Sequence, residues 1–470
     1  MSQSIITTTE QLNDQFEHMY ALSRKSPLNS WTDREALLDS LENMLSDNKQ
    51  VFADTISQDF GHRSKDETQF AELFPSFQGI AHAKKHGKSW MKTRRVGISA
   101  LYRPAHNEIQ PQPLGLVGIM VPWNYPLFLA IGPMIDALAA GNRIMIKMSE
   151  SAPLFAEAFA QAVSEHFSAD MVSVVVGDVE LAVAFSELAF DHLLYTGSTS
   201  VGMKLMAAAA PNLTPVTLEL GGKSPVIVLD DVNLENVVNR VMMGKTLNAG
   251  QTCIAPDYVL INSSLHSKFV KLAKEWVKKH YPNIANNEDY THIINDSQFR
   301  RIQGYLDKLP NEQVVPLTEV TANSETRLMP PVIVVNPDPE SDVMQNELFA
   351  PVLPLVHING LRDAIEFVND RPRPLALYVF GEDNDDIEYV RNHTVSGGVG
   401  VNEVIMHVAQ HELPFGGVGH SGIGAYHGKW GFERMSHMKP IFVQSKFNAM
   451  NVMLPPYSAL FKKGLKFLTK

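Results

Sequence analysis

Three side chains in this sequence carry functional groups suited to nucleophilic catalysis, and the first is a thiol. Cys253 is the only cysteine among 470 residues, which excludes an intramolecular disulfide and a zinc site built from several thiolates. A free cysteine is most often a small buried apolar residue, and burial alone is one interpretation of it. Its neighbours, Gly-Gln-Thr at 250–252 and a proline at 256, predict a loop, where a rigid scaffold can present a nucleophile.

A carboxyl group and a side-chain amide are the other two candidates. Glu219 precedes two glycines at the end of a predicted strand, where desolvation can raise the pKa of a carboxyl group toward that of a useful general base. Asn124 lies between prolines directly after another predicted strand, and an amide held in this way can donate to an oxyanion. Each also fits an ordinary role, as an exposed glutamate or as a turn asparagine.

A phosphate-binding turn is predicted at 195–202, which reads Tyr-Thr-Gly-Ser-Thr-Ser-Val-Gly between a strand and a helix. Backbone N–H groups at the beginning of a helix favour an anion, although a plain strand-to-helix turn is the alternative. The letters at 417–422 match the dinucleotide fingerprint Gly-x-Gly-x-x-Gly. No strand and helix frame them, so this stretch is predicted to be an irregular loop. No metal site is predicted.

Alternating strands and helices would position these residues. Buried-strand patterns are predicted at 114–121, 143–147, 171–176 and 191–195, with helices at 127–140 and 200–210. This order indicates a parallel, doubly wound sheet, which binds nucleotides at its strand ends. A second α/β segment begins near residue 219, with strands at 226–229, 258–261 and 376–380. Its first helix, from 234 to about 250, would place Cys253 between a helix and a strand.

The first 90 residues are predicted to be helical. A capping-box pattern at 32–35 marks the beginning of one helix, and Phe70, Leu73, Phe74, Phe77 and Ile80 form the apolar stripe of the next. With 44% apolar and 19% charged residues the chain has an ordinary globular balance, with room for two or three domains. A net charge of -11 argues against nucleic acid as a partner. Without a secretory signal or an apolar run that could span a bilayer, a soluble cytoplasmic protein with no transmembrane anchor is expected.

Taken together, six stretches resemble the NAD(P)-dependent aldehyde dehydrogenase superfamily. They occur in the same order along the chain as in that superfamily, and the resemblance extends over about residues 10–450. They are Pro-Trp-Asn-Tyr-Pro at 122–126, Thr-Gly-Ser-Thr at 196–199, Leu-Glu-Leu-Gly-Gly-Lys-Ser-Pro at 218–225, Gly-Gln-Thr-Cys at 250–253, Asn-Glu-Leu-Phe at 346–349 and Pro-Phe-Gly-Gly at 414–417. The stretches at 59–64 and 406–410 look most like the bacterial coniferyl aldehyde dehydrogenases of its class-three-like branch.

The resemblance implies an α/β fold with a Rossmann-type parallel-sheet cofactor domain and an α/β catalytic domain. A small bridging, oligomerising β element would complete it. The boundaries expected are 1–92 with 114–220 for the NAD-binding domain, 221–400 for the catalytic domain, 93–113 with 401–450 for the bridging element and 451–470 for a tail. Cys253 would be the nucleophile, Glu219 the general base and Asn124 the oxyanion-hole amide. The implied cofactor contacts are Trp123, Lys147, Glu150, Thr196, Gly197, Ser198, Gly202, Glu347 and Phe349.

The reaction implied is NAD-dependent oxidation of an aldehyde to the acid, through a thiohemiacetal and a thioester on Cys253. Coniferyl aldehyde, giving ferulate, is the first substrate expected, and medium or long-chain aliphatic aldehydes are the second. Glu150 suits a ribose 2′-hydroxyl and favours NAD, while Lys147 leaves NADP possible. A homodimer is expected. The alternatives are a cysteine hydrolase using one of the 17 histidines as base, which would need no NAD, and a non-catalytic binding protein.

Overall fold

Three β-sheets organise the chain, which we describe from a computed structural model that covers residues 5–28, 30–448 and 450–469. The strands are β1 (Ile5–Ile6), β2 (Arg94–Val96), β3 (His106–Pro113), β4 (Leu116–Met120), β5 (Arg143–Lys147), β6 (Val172–Val175), β7 (His192–Gly197), β8 (Val216–Leu220), β9 (Pro225–Val228), β10 (Tyr258–Ile261), β11 (Val314–Pro316), β12 (Val332–Val335), β13 (Val352–His357), β14 (Ala376–Phe380), β15 (Gly398–Val401), β16 (Gly422–Ile423) and β17 (Ser436–Val443).

The α-helices surround these sheets. They are α1 (Thr9–Lys25), α2 (Trp31–Asp59), α3 (Lys65–Thr68), α4 (Phe74–Trp90), α5 (Phe128–Ala140), α6 (Pro153–His166), α7 (Val179–Ser186), α8 (Thr199–Ala209), α9 (Leu234–Thr246), α10 (Ser263–His280), α11 (Asp296–Leu306), α12 (Asp342–Gln345), α13 (Leu361–Asn369), α14 (Asn384–His393), α15 (Gly428–Arg434) and α16 (Ala459–Leu468).

The first sheet has the order β1-β6-β5-β4-β7-β8-β16 and is parallel except for the short strand β16. Strands β4, β5 and β6 are buried along their whole length, as continuous apolar runs in a sheet covered on both faces must be. The predicted doubly wound parallel sheet is therefore confirmed. Because its strands run in one direction, the residues that follow β4, β5 and β7 all lie at one edge.

The second sheet has the order β11-β12-β13-β10-β9-β14-β15 and is parallel except for β11. The third is the antiparallel sheet β17-β3-β2. Residues 401–450, assigned from sequence to the bridging element, divide between these sheets. Gly422–Ile423 pairs with β8 in the first sheet, and Ser436–Val443 pairs with β3 in the third. Residues 417–421 lie in a loop, as the lack of framing elements predicts, but Gly422 begins the short strand β16.

Two sequence-based expectations about the N-terminal helices are wrong. Helix α2 begins at Trp31 with Ser30 as its N-cap, so the capping box predicted at 32–35 lies inside the first turn. An earlier helix, α1, carries a capping box at Thr8 that the sequence pattern did not reveal. A π-helical turn, Gln69–Leu73, also interrupts the apolar stripe before α4, because its extra residue shifts the helical phase.

That π turn removes two aromatic side chains from the core. Phe70 is 54% exposed and Phe74 is 56% exposed, whereas Leu73 and Ile80 remain buried. At the other end of the chain, α16 has no buried residue. In the described part of the chain, no helix is both long and apolar enough to cross a membrane.

Candidate active site

Cys253 follows a turn built from three consecutive residues with left-handed backbone. Asn248 and Ala249 both have φ of 51°, and Gly250 has φ of 73°. A Cβ at Gly250 would lie 2.5 Å from the carbonyl oxygen of Ala350, so glycine is required there. Non-glycine residues adopt this conformation only when the surrounding structure imposes it, and such strain is concentrated at functional sites.

Two cavities meet at Cys253. The larger, of about 560 Å³, is mainly apolar and aromatic, and its wall includes Phe70, Phe74, Tyr125, Phe128, Ile405 and Phe415. The smaller, of about 270 Å³, lies at the edge of the first sheet, and its wall includes Trp123, Asn124, Gly197, Glu219, Glu347 and Phe349. A thiol between them can contact an apolar molecule on one side and a ligand of the sheet edge on the other.

Asn124 lies against the turn that carries the thiol and is 4% exposed. Its side-chain Nδ2 donates to the carbonyl oxygen of Gln251 at 3.2 Å. Its own backbone carbonyl accepts from Arg63 Nη1 at 3.2 Å and from Asn248 Nδ2 at 3.0 Å. The amide is therefore fixed in advance, and among the described residues its second N–H has no acceptor.

Glu219 is 2% exposed, in β8, with Gly422 of β16 opposite it. Neither oxygen of its carboxyl group has a hydrogen-bond partner among the described residues. Burial raises the pKa of Glu219 well above its usual value, and the nearby Arg434 guanidinium opposes this shift. Desolvation of this kind makes the ionised carboxylate a stronger proton acceptor than a carboxylate in water, which is the property that a general base uses.

The Cys253 thiol is not pre-ionised by this environment. Burial, followed by the carboxyl groups of Glu347 and Glu219, raises the pKa of Cys253 to about 12. The backbone N–H groups of Cys253 and Ile254 act in the opposite direction. The neutral thiol therefore predominates at neutral pH in the protein alone, and a positive charge beside the site would be needed to favour the thiolate.

The turn after β7 has the features expected of a phosphate-binding turn. Ser198 is the N-cap of the eleven-residue helix α8. Thr196 is buried, and its hydroxyl has no hydrogen-bond partner among the described residues. Gly202 lies in the first helical turn, where a Cβ would approach Leu220 Cδ2 to 2.6 Å. Gly197 lines the smaller cavity beside Ser198.

Lys147 is the last residue of β5, and Glu150 follows this strand at the same edge. The Lys147 ammonium group is buried and donates to the carbonyl oxygens of Met148, at 2.7 Å, and Gly177, at 2.9 Å. Burial lowers the pKa of Lys147, and Glu150 opposes this shift. Glu150 itself is exposed. Lys147 thus stabilises the backbone of the edge, while the Glu150 carboxylate remains accessible to a ligand.

Glu347 and Phe349 form the opposite wall of the smaller cavity. The Phe349 ring packs edge-on against Trp123 with centroids 5.4 Å apart, and its backbone has φ of 52°. A Cβ on Gly221 would lie 1.9 Å from Glu347 Oε2, so glycine lets this carboxyl group approach the end of β8. Burial raises the pKa of Glu347 to about 8.

Three residues that hold this wall were not singled out from the sequence. The Lys223 ammonium group pairs with Asp257 and donates to the Asn346 carbonyl at 2.9 Å. Asp257 Oδ2 accepts from the Leu348 N–H at 3.0 Å, and Arg301 Nη2 donates to the Leu348 carbonyl at 2.8 Å. Lys223 lies within the stretch 218–225 and Asp257 directly follows Pro256, but no spacing rule connects either residue to residues 346–349.

A fully buried ion pair behind Asn124 was also missed. Arg63 Nη1 contacts Glu72 Oε1 at 2.7 Å, and both side chains are completely buried. Glu72 Oε2 accepts from the backbone N–H groups of Leu127, at 2.8 Å, and Phe128, at 3.1 Å. Arg63 therefore links the helix that carries Glu72 to the segment that carries Asn124.

The site thus defines a class of protein, one in which a cysteine thiol lies between a sheet edge suited to a dinucleotide and a mainly apolar cavity. The cysteine hydrolase interpretation lacks its base, since no histidine in the described ranges hydrogen-bonds to Cys253. Comparison with known proteins agrees with this class. Residues 5–441 match the model of the aldehyde dehydrogenase family, and the chain belongs to that family.

Relatives of this chain extend over nearly its whole length. A probable coniferyl aldehyde dehydrogenase of Pseudomonas aeruginosa is 47% identical over 97% of this chain and 96% of its own. A dimeric NADP-preferring aldehyde dehydrogenase of Rattus norvegicus is 39% identical over 90% of this chain and 92% of its own. The structure of Staphylococcus aureus AldH in a substrate-bound state superposes with a TM-score of 0.93 at 34% identity, covering 98% of this chain and 99% of its own. The protein is therefore an oxidoreductase that acts on aldehydes, in a family that uses NAD or NADP.

Proposed function

We propose that this enzyme oxidises coniferyl aldehyde to ferulate with NAD as oxidant, and that Cys253, Glu219 and Asn124 carry the reaction. The observation that supports this most strongly is the position of Cys253 at the meeting point of two unlike cavities. One is apolar and large enough for an aromatic aldehyde. The other contains the fixed amide, the buried carboxyl group and the turn before α8.

The residues around the smaller cavity fit a nicotinamide dinucleotide. The hydroxyl of Thr196 and Oε1 of Glu347 are buried polar atoms without a partner among the described residues, and such atoms are satisfied by a ligand. Ser198 begins a helix long enough to direct a positive dipole end toward an anion. Trp123 and Phe349 present an aromatic corner at the end of the cavity near Cys253.

In the proposed mechanism, the Cys253 thiol first releases its proton to solvent, and Sγ then adds as a thiolate to the aldehyde carbonyl carbon. The alkoxide oxygen that forms accepts from the free N–H of Asn124 and from the backbone N–H of Cys253, which are both fixed before charge develops. The bound oxidised nicotinamide supplies a positive charge and the acceptor for the aldehyde hydrogen with its two electrons. Glu219 then removes a proton from the water that attacks the thioester on Cys253, which releases the acid and restores the thiol.

The preference for NAD is assigned to Glu150. Its exposed carboxylate can accept hydrogen bonds from a ribose 2′-hydroxyl and would repel a 2′-phosphate. Lys147 does not offset this, because its ammonium group is held by the carbonyls of Met148 and Gly177. Glu150→Gln should therefore lower the ratio of kcat/KM for NAD to that for NADP. A native enzyme that prefers NADP, or a ratio unchanged in the variant, would contradict this assignment.

The substrate proposal is tested with a panel of aldehydes. Coniferyl aldehyde, cinnamaldehyde, which lacks the ring oxygens, and octanal should be compared by kcat/KM from NADH absorbance. The aromatic side chains of Phe70, Phe74 and Phe128 favour the two aromatic substrates, and the polar groups of Gln78 and Gln410 on the same wall favour the oxygenated ring. Higher kcat/KM for octanal would instead assign the enzyme to aliphatic aldehydes.

A homodimer is proposed from the third sheet. Its strands β2 and β17 are largely exposed and present apolar side chains to solvent, among them Val96, Phe442 and Val443. An exposed sheet with an apolar surface is a common interface between copies of one chain. Light scattering should give twice the chain mass, and Phe442→Glu should shift it toward one chain. Val183→Glu, which alters an exposed apolar residue on α7, is the matched control.

A further inference from the structure

A cluster of metal-ligating side chains lies on the wall of the larger cavity. It consists of His82 and His86, one turn apart on α4, and Glu412, from the loop that follows the 3₁₀ turn Met406–Ala409. One ligand atom from each lies within 4.8 Å of the others, and His82 Nε2 is 3.6 Å from Glu412 Oε1. No other group of three such residues occurs in the part of the chain that the structure covers.

The spacing of these atoms is close to that of a metal site. Two ligands of a tetrahedral ion, each at about 2.0–2.1 Å, lie roughly 3.3–3.4 Å apart. The contact between His82 and Glu412 nearly meets this value already. Two histidines four residues apart on a helix face the same side, which is the arrangement of the helical zinc motif His-x-x-x-His. The third ligand atom, on the partly exposed His86 ring, lies within 4.8 Å of the other two.

Ring stacking by itself does not account for this cluster. The His82 ring packs against those of Trp90 and His411, with centroids 5.6 and 5.5 Å apart, and this contact explains where the rings lie. It does not explain why Glu412, whose side chain is 80% exposed, directs its carboxylate at His82 Nε2. Among the described residues, neither His82 nor His86 has a side-chain hydrogen bond that would occupy its ring nitrogens.

The nearby charges leave the site able to accept a cation. Lys84 forms ion pairs with Asp39 and Glu42 and adds little repulsion. Lys85, on the same helix, is exposed, so solvent screens its charge.

We propose that His82, His86 and Glu412 bind one divalent transition-metal ion of the Zn²⁺ and Co²⁺ class. Two imidazoles favour these ions over Mg²⁺ and Ca²⁺, which prefer oxygen ligands. Three protein ligands leave a coordination position for water, and the ion would lie at the wall that His82 and Glu412 contribute to the larger cavity. The site does not depend on the proposed reaction.

The test is a titration of tag-free protein with Co²⁺, followed by competition with Zn²⁺. Cys253→Ser is the parent, because it removes the one thiolate that could bind these ions. His82→Asn, His86→Asn and Glu412→Gln are made on this parent. His280→Asn is the matched control, since His280 also lies on a helix and stacks on a tryptophan four residues away, with centroids 4.5 Å apart. Melting curves establish that each variant is folded.

The parent and His280→Asn should bind one Co²⁺ per chain, with visible absorption bands that disappear on addition of Zn²⁺. Loss of an outer-shell partner typically weakens metal binding about 10–100-fold, so loss of a direct histidine ligand should cost at least about tenfold. Absence of saturable binding by the parent would overturn the proposal. Binding that His82→Asn and His86→Asn leave unchanged in folded protein, or that His280→Asn weakens equally, would also overturn it.

Discussion

Replacement of Asn124 by alanine would separate the catalytic role proposed for its amide from the structural contacts of this residue. The substitution removes an N–H donor directed at the alkoxide, and loss of one oxyanion-hole donor lowers kcat by about 10²–10³, or about 2.7–4 kcal/mol. KM should change little, because the donor acts on charge that develops after binding. The loss should appear in the first turnover as well as in the steady state, since the alkoxide forms before the thioester.

The structure also predicts that Asn124→Ala leaves the fold nearly intact. The Gln251 carbonyl, which loses the Asn124 amide, retains Asn248 Nδ2 at 3.2 Å. The backbone carbonyl of residue 124 retains Arg63 and Asn248 as donors. No buried acceptor is left without a partner, so the loss of stability should be about 1 kcal/mol, the net value of one hydrogen bond.

Asn248→Ala is the matched control. It removes one of the two donors to the Asn124 carbonyl and one of the two donors to the Gln251 carbonyl. It also places alanine at φ of 51°, a conformation that asparagine tolerates better. The loss of two hydrogen bonds should lower the free energy of unfolding by roughly 1–3 kcal/mol. The melting midpoint should therefore fall further than in Asn124→Ala. Stopped-flow NADH formation and melting curves measure the two effects. An Asn124→Ala enzyme within tenfold of the native kcat, or one as thermally sensitive as Asn248→Ala, would refute this reasoning.

Four further predictions concern the thiol, the proposed base and the buried ion pair. Glu219→Gln should slow hydrolysis of the thioester more than its formation, so that an NADH burst survives while steady turnover falls; equal loss of both would contradict its role. Cys253→Ser should abolish turnover yet still bind NAD. Because the pKa of Cys253 is about 12, iodoacetamide labelling of the protein without NAD should accelerate nearly tenfold per pH unit from about pH 7 to 10, and a plateau near pH 8 would be inconsistent with that pKa. Glu72→Gln should lower the free energy of unfolding by about 3–5 kcal/mol, because it leaves the Arg63 guanidinium buried without an ionic partner. The double variant Arg63→Met with Glu72→Gln should lose less stability than the sum of the two single variants. Melting curves of the single and double variants measure this difference.

Sequence patterns located strands well where a buried apolar run has sharp polar or glycine boundaries. Arg143–Lys147, Tyr258–Ile261 and Ala376–Phe380 have the predicted bounds. Sequence patterns gave wrong predictions where the backbone departs from regular helical periodicity. The π turn Gln69–Leu73 shifts the phase of the apolar stripe, so Phe70 and Phe74 line a cavity although their spacing predicted the core.

The contacts that support the site were even harder to predict from the sequence. Arg63 and Glu72 look like ordinary surface charges in the sequence, yet their side chains are fully buried and paired. Charged residues are buried only when a partner and several hydrogen bonds are available, and those partners come from distant segments. Glu72, for example, accepts from backbone N–H groups more than fifty positions away.

Local sequence patterns were enough to show that one thiol is present, that strands and helices alternate around it, and that Glu219 and Asn124 lie near the ends of buried strands. The packing of the whole chain was needed to show that these side chains share one cavity, that burial raises the pKa of the thiol, and that His82 and His86 lie close to Glu412 of a remote loop. The physical reason is that burial and backbone preference are encoded by neighbouring residues. Distances between remote segments, and the solvation and charge around each group, arise only when the whole chain is packed.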